Sequence, residues 1–98
     1  MKQFEQFELQ LKTFRGFISK DPEIRYNNDG KSVTTFSLPL KKSKDDEVTW
    51  LNCEAWGRLS EVIAETYHKG DSITVQGYLK QEEYKEKTYV KLVVLMAM

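Results

Sequence analysis

Apolar and polar side chains alternate along most of this chain with the two-residue period that is typical of β-strands. The first alternation covers residues 7–11, where the apolar positions are odd, whereas the next apolar residues, Phe14 and Ile18, are even. This change of phase beside Gly16 predicts a bulge or a sharp bend within one long first strand. Residues 27–30, with the sequence NNDG, then predict a tight turn.

Two more strands are predicted between this turn and the middle of the chain. The second strand presents one apolar face, formed by Phe36, Leu38 and Leu40. Pro39 lacks an amide donor, so we expect it at a sheet edge or near the end of this strand. A charged loop over residues 41–47 leads to a third strand over residues 48–56.

One helix and two strands complete the pattern. Apolar spacing of i, i+3, i+4 and i+7 predicts a helix that contains Leu59, Val62, Ile63 and Thr66. The fourth strand presents an apolar face made by Ile73, Val75 and Leu79. Gly70 is expected to end the helix, and Gly77 marks a point of close backbone approach in the fourth strand. Residues 82–87 are typical of a polar hairpin tip, and residues 89–98 of a closing or buried fifth strand.

The predicted order is three strands, one helix and two strands. This order, with a long bent first strand, indicates an all-β fold: the five-stranded Greek-key barrel called the OB-fold, with one helix between strands three and four. A mixed arrangement of helix and sheet without barrel closure is the alternative. With 98 residues, the chain is expected to form a single domain over residues 1–98, small enough for oligomerisation to help its stability.

Strand three carries the most informative residues. Because side chains alternate across a strand, one face receives Thr49, Leu51, Cys53 and Ala55. The other face receives Val48, Trp50, Asn52, Glu54 and Trp56. An unpaired glutamate is almost never fully buried, so the tryptophan face should be the exposed one. Two exposed indoles form a platform on which flat rings such as nucleic-acid bases stack.

Parity alone leaves two other interpretations of this strand open. Trp50 and Trp56 would pack in the core if Leu51 pointed outward instead. An exposed tryptophan face would also suit a protein interface, because tryptophan is enriched there.

The fourth strand and the charged loop supply further candidates for nucleic-acid binding. Tyr78 and Tyr84 are expected on one face with Lys80 between them, an arrangement that suits a stacked base with its phosphate nearby. Tyrosines are also common on sheet surfaces that bind nothing. Lys41 and Lys42 begin the densest basic cluster, which is either a solvated loop or a phosphate clamp.

Charge and composition narrow the classes of function. The chain has 15 basic and 15 acidic residues, which argues against a strongly electrostatic nucleic-acid binder but allows a locally charged face. Cys53 and His68 are the only residues of their types, so we expect no disulfide, metal, cofactor or enzyme activity. No apolar run approaches the roughly 18 residues of a membrane span, and the first residues lack a secretory signal, so we expect a cytoplasmic protein.

Several short motifs follow one another in a defined order. The first half contains DPEIRY at residues 21–26, Gly30-Lys31, and FSL at residues 36–38. The second half contains WLNCEAWGRL at residues 50–59, Glu61-Val62, Lys69-Gly70, and VQGYL at residues 75–79. Each motif is weak alone, but in order and spacing they resemble the bacterial single-stranded DNA-binding proteins over nearly the whole chain, from about Phe7 onward.

This resemblance implies an OB-fold that holds single-stranded DNA across its sheet and loops, at the nucleoid, in replication, recombination or repair. Trp50, Trp56 and Tyr84 fall on stacking aromatics of the family, and Tyr78 is a further stacking candidate. The candidates for phosphate contacts are Lys41, Lys42, Lys80 and Arg58. The family usually assembles as homotetramers, in part by pairing of first strands, which here would use residues 7–13.

The chain departs from the family in ways that keep other functions open. Lys44 stands near the place where a further stacking tryptophan often lies, and acidic residues surround Tyr84 where the family is more basic. The sequence ends at Met98, so the acidic tail that recruits replication and repair enzymes is not expected. Short, tailless primosomal relatives are often homodimers that act as protein-interaction adaptors, and the neutral charge favours this alternative. RNA binding is a third option, because a stacking platform does not by itself reject the 2′-hydroxyl.

Overall fold

One sheet and one helix account for the regular structure in the described part of this chain. The computed structural model describes residues 10–40 and 49–98. Within these ranges the elements are β1 (Lys12–Phe17), β2 (Glu23–Tyr26), β3 (Ser32–Leu40), β4 (Thr49–Trp56), α1 (Arg58–Thr66), β5 (Ser72–Tyr84) and β6 (Lys87–Ala97). The sheet order is β1-β5-β6-β4-β3-β2, in which only the β4–β6 pair is parallel. A mostly β structure with its helix between β4 and β5 is consistent with the OB-fold prediction.

The described sheet has six strands rather than the five predicted, because β2 was not recognised from the sequence. All residues of Glu23–Tyr26 are exposed, so no apolar face marked this segment as a strand. It forms by antiparallel pairing with β3 across the predicted turn at residues 27–30. In that turn the Asn27 side-chain oxygen accepts the backbone N–H groups of Asp29 at 3.0 Å and Lys31 at 2.9 Å. Gly30 adopts φ +82°, a conformation that favours glycine.

The bulge expected beside Gly16 lies elsewhere. β1 pairs with β5 residue by residue from Lys12 to Phe17, with Gly16 opposite Ile73 and no irregularity. The register shift falls instead between Gln76 and Gly77 of β5, which pair with Met96 and Val94 of β6. A Cβ built on Gly77 would overlap the backbone carbonyl of Val93, so the predicted close approach at this glycine is confirmed. Residues 7–9 of the predicted first strand lie outside the described residues.

The core lies between the inner face of the sheet and α1. Its buried apolar side chains are Ile18, Phe36, Leu38, Leu51, Cys53, Ala55, Ile63, Ile73, Val75, Leu92 and Val94. Ser60 of α1 is also fully buried. Its polar groups are satisfied there, because the Thr34 hydroxyl contacts the Ser60 side-chain oxygen at 2.7 Å and donates to the Ser60 carbonyl at 2.8 Å. Pro39 is the next-to-last residue of β3 and lies beyond the part that pairs with β2, as its missing amide donor predicts.

The helix differs from its prediction in two details. Val62, placed on the apolar stripe, is 41% exposed, because the stripe that faces the sheet is centred on Ile63. The helix ends at Thr66, where Tyr67 turns to an extended conformation and its N–H still reaches the Ile63 carbonyl at 3.0 Å. Gly70 does not terminate the helix; it forms part of the following turn with φ +92°.

β5 and β6 continue beyond the rest of the sheet as a two-stranded arm, residues 81–90. The predicted polar tip of residues 82–87 is mostly strand, because only Lys85 and Glu86 form the turn, with φ of 52° and 66°. Positive φ at both central residues is typical of a type I′ hairpin turn. Every residue of the arm is exposed, so backbone pairing rather than apolar burial defines it. β6 pairs with both β4 and β5, as expected of a closing strand, although only Leu92 and Val94 are buried.

Candidate nucleic-acid interface

The two tryptophans of β4 point away from the core. Leu51, Cys53 and Ala55 are buried on the inner face, whereas Trp50 and Trp56 are 55% and 44% exposed. The predicted orientation is therefore confirmed, and the alternative with Leu51 facing outward is wrong. Thr49 is exposed despite sharing the inner parity, because it begins the strand, and Val48 lies outside the described residues.

The indoles of Trp50 and Trp56 are separated by six positions along β4, or about 20 Å at the rise of a strand. The ring nitrogen of Trp56 donates a hydrogen bond of 2.7 Å to Oε2 of Glu54, which fixes the orientation of that indole. Between the tryptophans, Asn52 accepts a hydrogen bond of 2.9 Å from the Ser37 hydroxyl, so its amide nitrogen stays available as a donor. Two separate ring faces with polar groups between them can hold different bases of one extended strand.

A cleft of about 810 Å³ opens beside Trp50. Its walls are formed by the segment between β1 and β2, by the start of β2, and by residues of β3, β4 and β6. The lining residues are Ser19, Lys20, Asp21, Glu23, Thr35, Phe36, Ser37, Trp50, Asn52, Cys53, Glu54 and Lys91. The Ser19 hydroxyl donates to the Ser37 carbonyl at 3.3 Å, and this bond holds that segment against β3. The cleft therefore combines an aromatic wall with both donors and acceptors, which suits a base or a phosphate.

The tyrosines predicted on β5 lie on the same outer face. Lys80 is opposite Lys91 of β6, which in turn is opposite Asn52 of β4, so the three side chains point to the same side. By alternation Tyr78 and Tyr84 share this side with Lys80. Tyr84 is 61% exposed near the arm's end, with the Lys85 ammonium 5.2 Å from its ring centre. Tyr78 is only half-buried opposite Val93, so both rings remain accessible to different degrees.

The structure describes two of the four predicted phosphate-binding residues, Lys80 and Arg58. Lys80 lies on the outer face, where its ammonium is 3.8 Å from a Glu82 oxygen. Arg58 is exposed at the first position of α1, two residues after Trp56. Lys41 and Lys42, with Lys44, lie outside the described residues, so the structure places neither of them relative to this face.

A cation that the sequence did not single out lies at the centre of the face. The Lys91 ammonium contacts Oε1 of Glu54 at 2.9 Å and Oε1 of Glu82 at 3.0 Å. The hydrogen bond with Glu54 raises the pKa of Lys91 against the opposing effect of burial, and the hydrogen bond from Lys91 lowers the pKa of Glu82. Strand parity could have placed Lys91 on an outer face, but its two partners come from other strands and no local pattern predicts them.

The described residues contain no cluster of metal-binding side chains. Within residues 10–40 and 49–98, no three His, Cys, Asp or Glu side chains are grouped to hold a metal ion. His68 lies in the turn after α1 and is 3.9 Å from an Asp71 oxygen. No helix in the described part of the chain is long and apolar enough to cross a membrane.

The single thiol provides a test of the core. Burial raises the pKa of Cys53 to about 12, so the folded chain keeps the neutral thiol. We expect the native protein to react with a thiol reagent such as DTNB far more slowly than the urea-unfolded chain at about pH 8. Absorbance of the released product measures both rates, and equal rates would contradict the burial of Cys53.

The same pKa gives the direction of a pH effect on stability. The raised pKa stabilises the folded protein fully below the ordinary value of 9.0, and this contribution is lost as the pH rises toward about 12. Urea unfolding of the wild type and of Cys53→Ala should therefore show a difference in the free energy of unfolding that shrinks over this interval. A difference that grows with pH would contradict the assignment.

Comparison with known proteins identifies relatives of this chain. The sequence model of the "Single-strand binding protein family" matches residues 12–96. The single-stranded DNA-binding protein of Thermosynechococcus vestitus is 33% identical over 73 residues, covering 74% of this chain and 61% of the relative. Single-stranded DNA-binding protein 2 of Streptomyces coelicolor is 33% identical over 91 residues, covering 84% and 46%. Single-stranded DNA-binding protein A of Bacillus subtilis is 34% identical over 77 residues, covering 74% and 45%.

The matched region contains the helix and the six described strands except Ala97, the last residue of β6, and it includes both tryptophans of β4. The chain spans about half the length of the curated relatives it matches. Because this match covers most of the sequence, the chain belongs to the single-strand binding protein family.

Proposed function

We propose that this chain binds single-stranded DNA without sequence preference and without catalysing a reaction on it. The observation that carries the proposal is the pair of exposed indoles, Trp50 and Trp56, on one face of β4. Stacking of a base on an aromatic ring is worth about 1–3 kcal/mol and tolerates any base. Membership of the family and similarity to single-stranded DNA-binding proteins support the same function.

The remaining contacts follow from position on the outer face. Tyr84 and Tyr78 would extend the stacking surface from β4 across β6 to β5, because the three strands are neighbours in the sheet. The phosphates between stacked bases would meet lysine and arginine side chains, for which the candidates are Lys80, Arg58, Lys41 and Lys42. Since the formal net charge is zero, salt should weaken binding less steeply than it does for a basic protein.

We infer that residues 1–98 form one OB-fold barrel. The described sheet is an open ladder, but β1 passes beside β3, where a Cβ built on Gly16 would lie 3.7 Å from the Pro39 carbonyl oxygen. This approach of the two strands supports closure of the sheet toward a barrel. A protein of this kind would act in the cytoplasm at the nucleoid, where replication, recombination and repair expose single strands.

Titration with oligo-dT, followed by tryptophan fluorescence, tests the function. We expect quenching at micromolar protein and low salt, because bases stack directly on both indoles. The absence of quenching under these conditions would contradict the proposal. Competition between matched DNA and RNA oligomers decides which nucleic acid is preferred, since stacking alone does not exclude RNA.

A second candidate function is that of a protein-interaction adaptor. The observation that favours it is a set of exposed apolar side chains at the end of β6 and just after it: Leu95, Met96 and Met98. For the DNA-binding function we propose a homotetramer, in which first strands pair, and for the adaptor a homodimer. The described part of β1 is at one end of the sheet, which leaves an edge for such pairing. Solution mass of the sample used for the titration separates the two assemblies.

A further inference from the structure

Lys91 lies between two carboxylates in the middle of the aromatic face. Its ammonium is 2.9 Å from Glu54 on one side and 3.0 Å from Glu82 on the other. The lysine side chain is 23% exposed, so part of it still faces the solvent from which DNA would arrive. This ammonium therefore remains accessible from the aromatic face, while its charge is already balanced by carboxylates of the protein.

The two carboxylates differ in how firmly they are held. The Glu54 side chain is 16% exposed, and both of its oxygens are used, one by Lys91 and one by the Trp56 ring nitrogen. The Glu82 side chain is 48% exposed on the two-stranded arm, and its other oxygen is only loosely paired with Lys80 at 3.8 Å. Glu82 can regain water when it leaves Lys91, whereas Glu54 cannot leave without exposing Lys91 and releasing Trp56.

We propose that Lys91 is a phosphate-binding residue of this face, and that Glu82 masks its charge until a DNA phosphate displaces it. Glu54 stays in contact with Lys91 throughout and keeps the ammonium beside the Trp56 indole. The inference rests on the proposed function, because it concerns how the same face meets the DNA backbone. In this proposal Glu82 lowers the affinity for DNA and the salt dependence of binding, whereas Glu54 positions the Lys91 ammonium.

Glu82→Gln tests the masking directly. Without the carboxylate, Lys91 meets the phosphate at no cost in broken ion pairs, so we expect affinity for oligo-dT at low salt to rise about two- to five-fold. The slope of log K against log salt should become steeper by about 0.7, the value for the release of one counterion from a single strand, because no freed Glu82 carboxylate takes up a counterion in exchange. The measurement is a fluorescence titration at several salt concentrations.

Glu83→Gln is the matched control. It removes the same charge from the neighbouring residue, whose side chain points to the opposite face of the arm and makes no ion pair among the described residues. If Glu83→Gln changes affinity and slope as much as Glu82→Gln does, the effect is one of overall charge and the proposal is overturned.

Two double variants identify which lysine is released. The gain from Glu82→Gln should disappear when Lys91→Gln is added and persist when Lys80→Gln is added. The opposite pattern would assign the phosphate contact to Lys80 and overturn the proposal for Lys91. Thermal melting of each variant confirms that the sheet is intact. If the wild-type protein shows no quenching with oligo-dT, the proposed function itself has failed, whereas normal wild-type binding with an unchanged Glu82→Gln slope refutes the masking alone.

Discussion

Trp50→Ala and Trp56→Ala should each weaken binding of oligo-dT by about 5- to 150-fold, which corresponds to about 1–3 kcal/mol. The expected loss comes from one stacking surface, because each indole is exposed and contributes little to the core. The free energy of unfolding should change by less than about 1 kcal/mol in either variant. Fluorescence anisotropy of a labelled oligonucleotide measures the affinity, and urea unfolding measures the stability.

Tyr26→Ala provides the control for these variants. Tyr26 is a comparably exposed aromatic residue, but it pairs with Ser32, a buried residue, and so lies on the other side of the sheet. Its removal should leave affinity unchanged. Equal losses in Tyr26→Ala and the tryptophan variants, or none in any of them, would show that DNA does not stack on β4.

Gly77→Ala should cause the largest loss of stability of any single methyl addition in the sheet. The new Cβ would overlap the Val93 carbonyl, which belongs to the backbone of β6 and cannot rotate away. Relief requires separation of β5 from β6 at the register shift, and we expect a cost of at least about 3 kcal/mol, or failure to fold. The midpoint of urea unfolding followed by circular dichroism measures the change.

Gly16→Ala is the matched control for Gly77→Ala. A Cβ on Gly16 would meet its nearest neighbour, the Pro39 carbonyl oxygen, at 3.7 Å, which is an ordinary contact. The substitution should therefore change the free energy of unfolding by no more than about 1 kcal/mol. A severe loss at Gly16 with a small one at Gly77 would contradict the strand register described for β5 and β6.

The orientation of β4 could be predicted from the sequence because it depends on local alternation. Leu51, Cys53 and Ala55 occupy one parity and the tryptophans the other, and a charged Glu54 decides which parity meets water. The turn at residues 27–30 was predictable for the same reason, since the Asn27 side chain accepts hydrogen bonds from backbone N–H groups within and just after the turn and Gly30 adopts the positive φ that it needs. In both cases the information lies within a few neighbouring residues.

Features that depend on other strands could not be predicted in this way. β2 has no buried side chain and forms only because β3 pairs with it. The ion pair between Lys91 and Glu54 requires the parallel register of β4 and β6, which joins residues almost forty positions apart and is not indicated by the sequence of either strand alone. The bulge predicted beside Gly16 from the change of parity is absent from β1, and the register shift at Gly77 depends on how β6 pairs with β5, which the pattern within β5 does not indicate.

The two-stranded arm has a consequence for the kinetics of binding. An isolated pair of strands is marginally stable in water, and the backbone of residues 81–90 pairs only within this segment, whose residues are all exposed. Amide protons of the arm should therefore exchange with solvent through local opening, long before those of Leu92 or Val75 exchange. Tyr84 can therefore change position and stack on a base after the DNA has first bound, whereas Trp50 and Trp56 hold the same positions before and during binding.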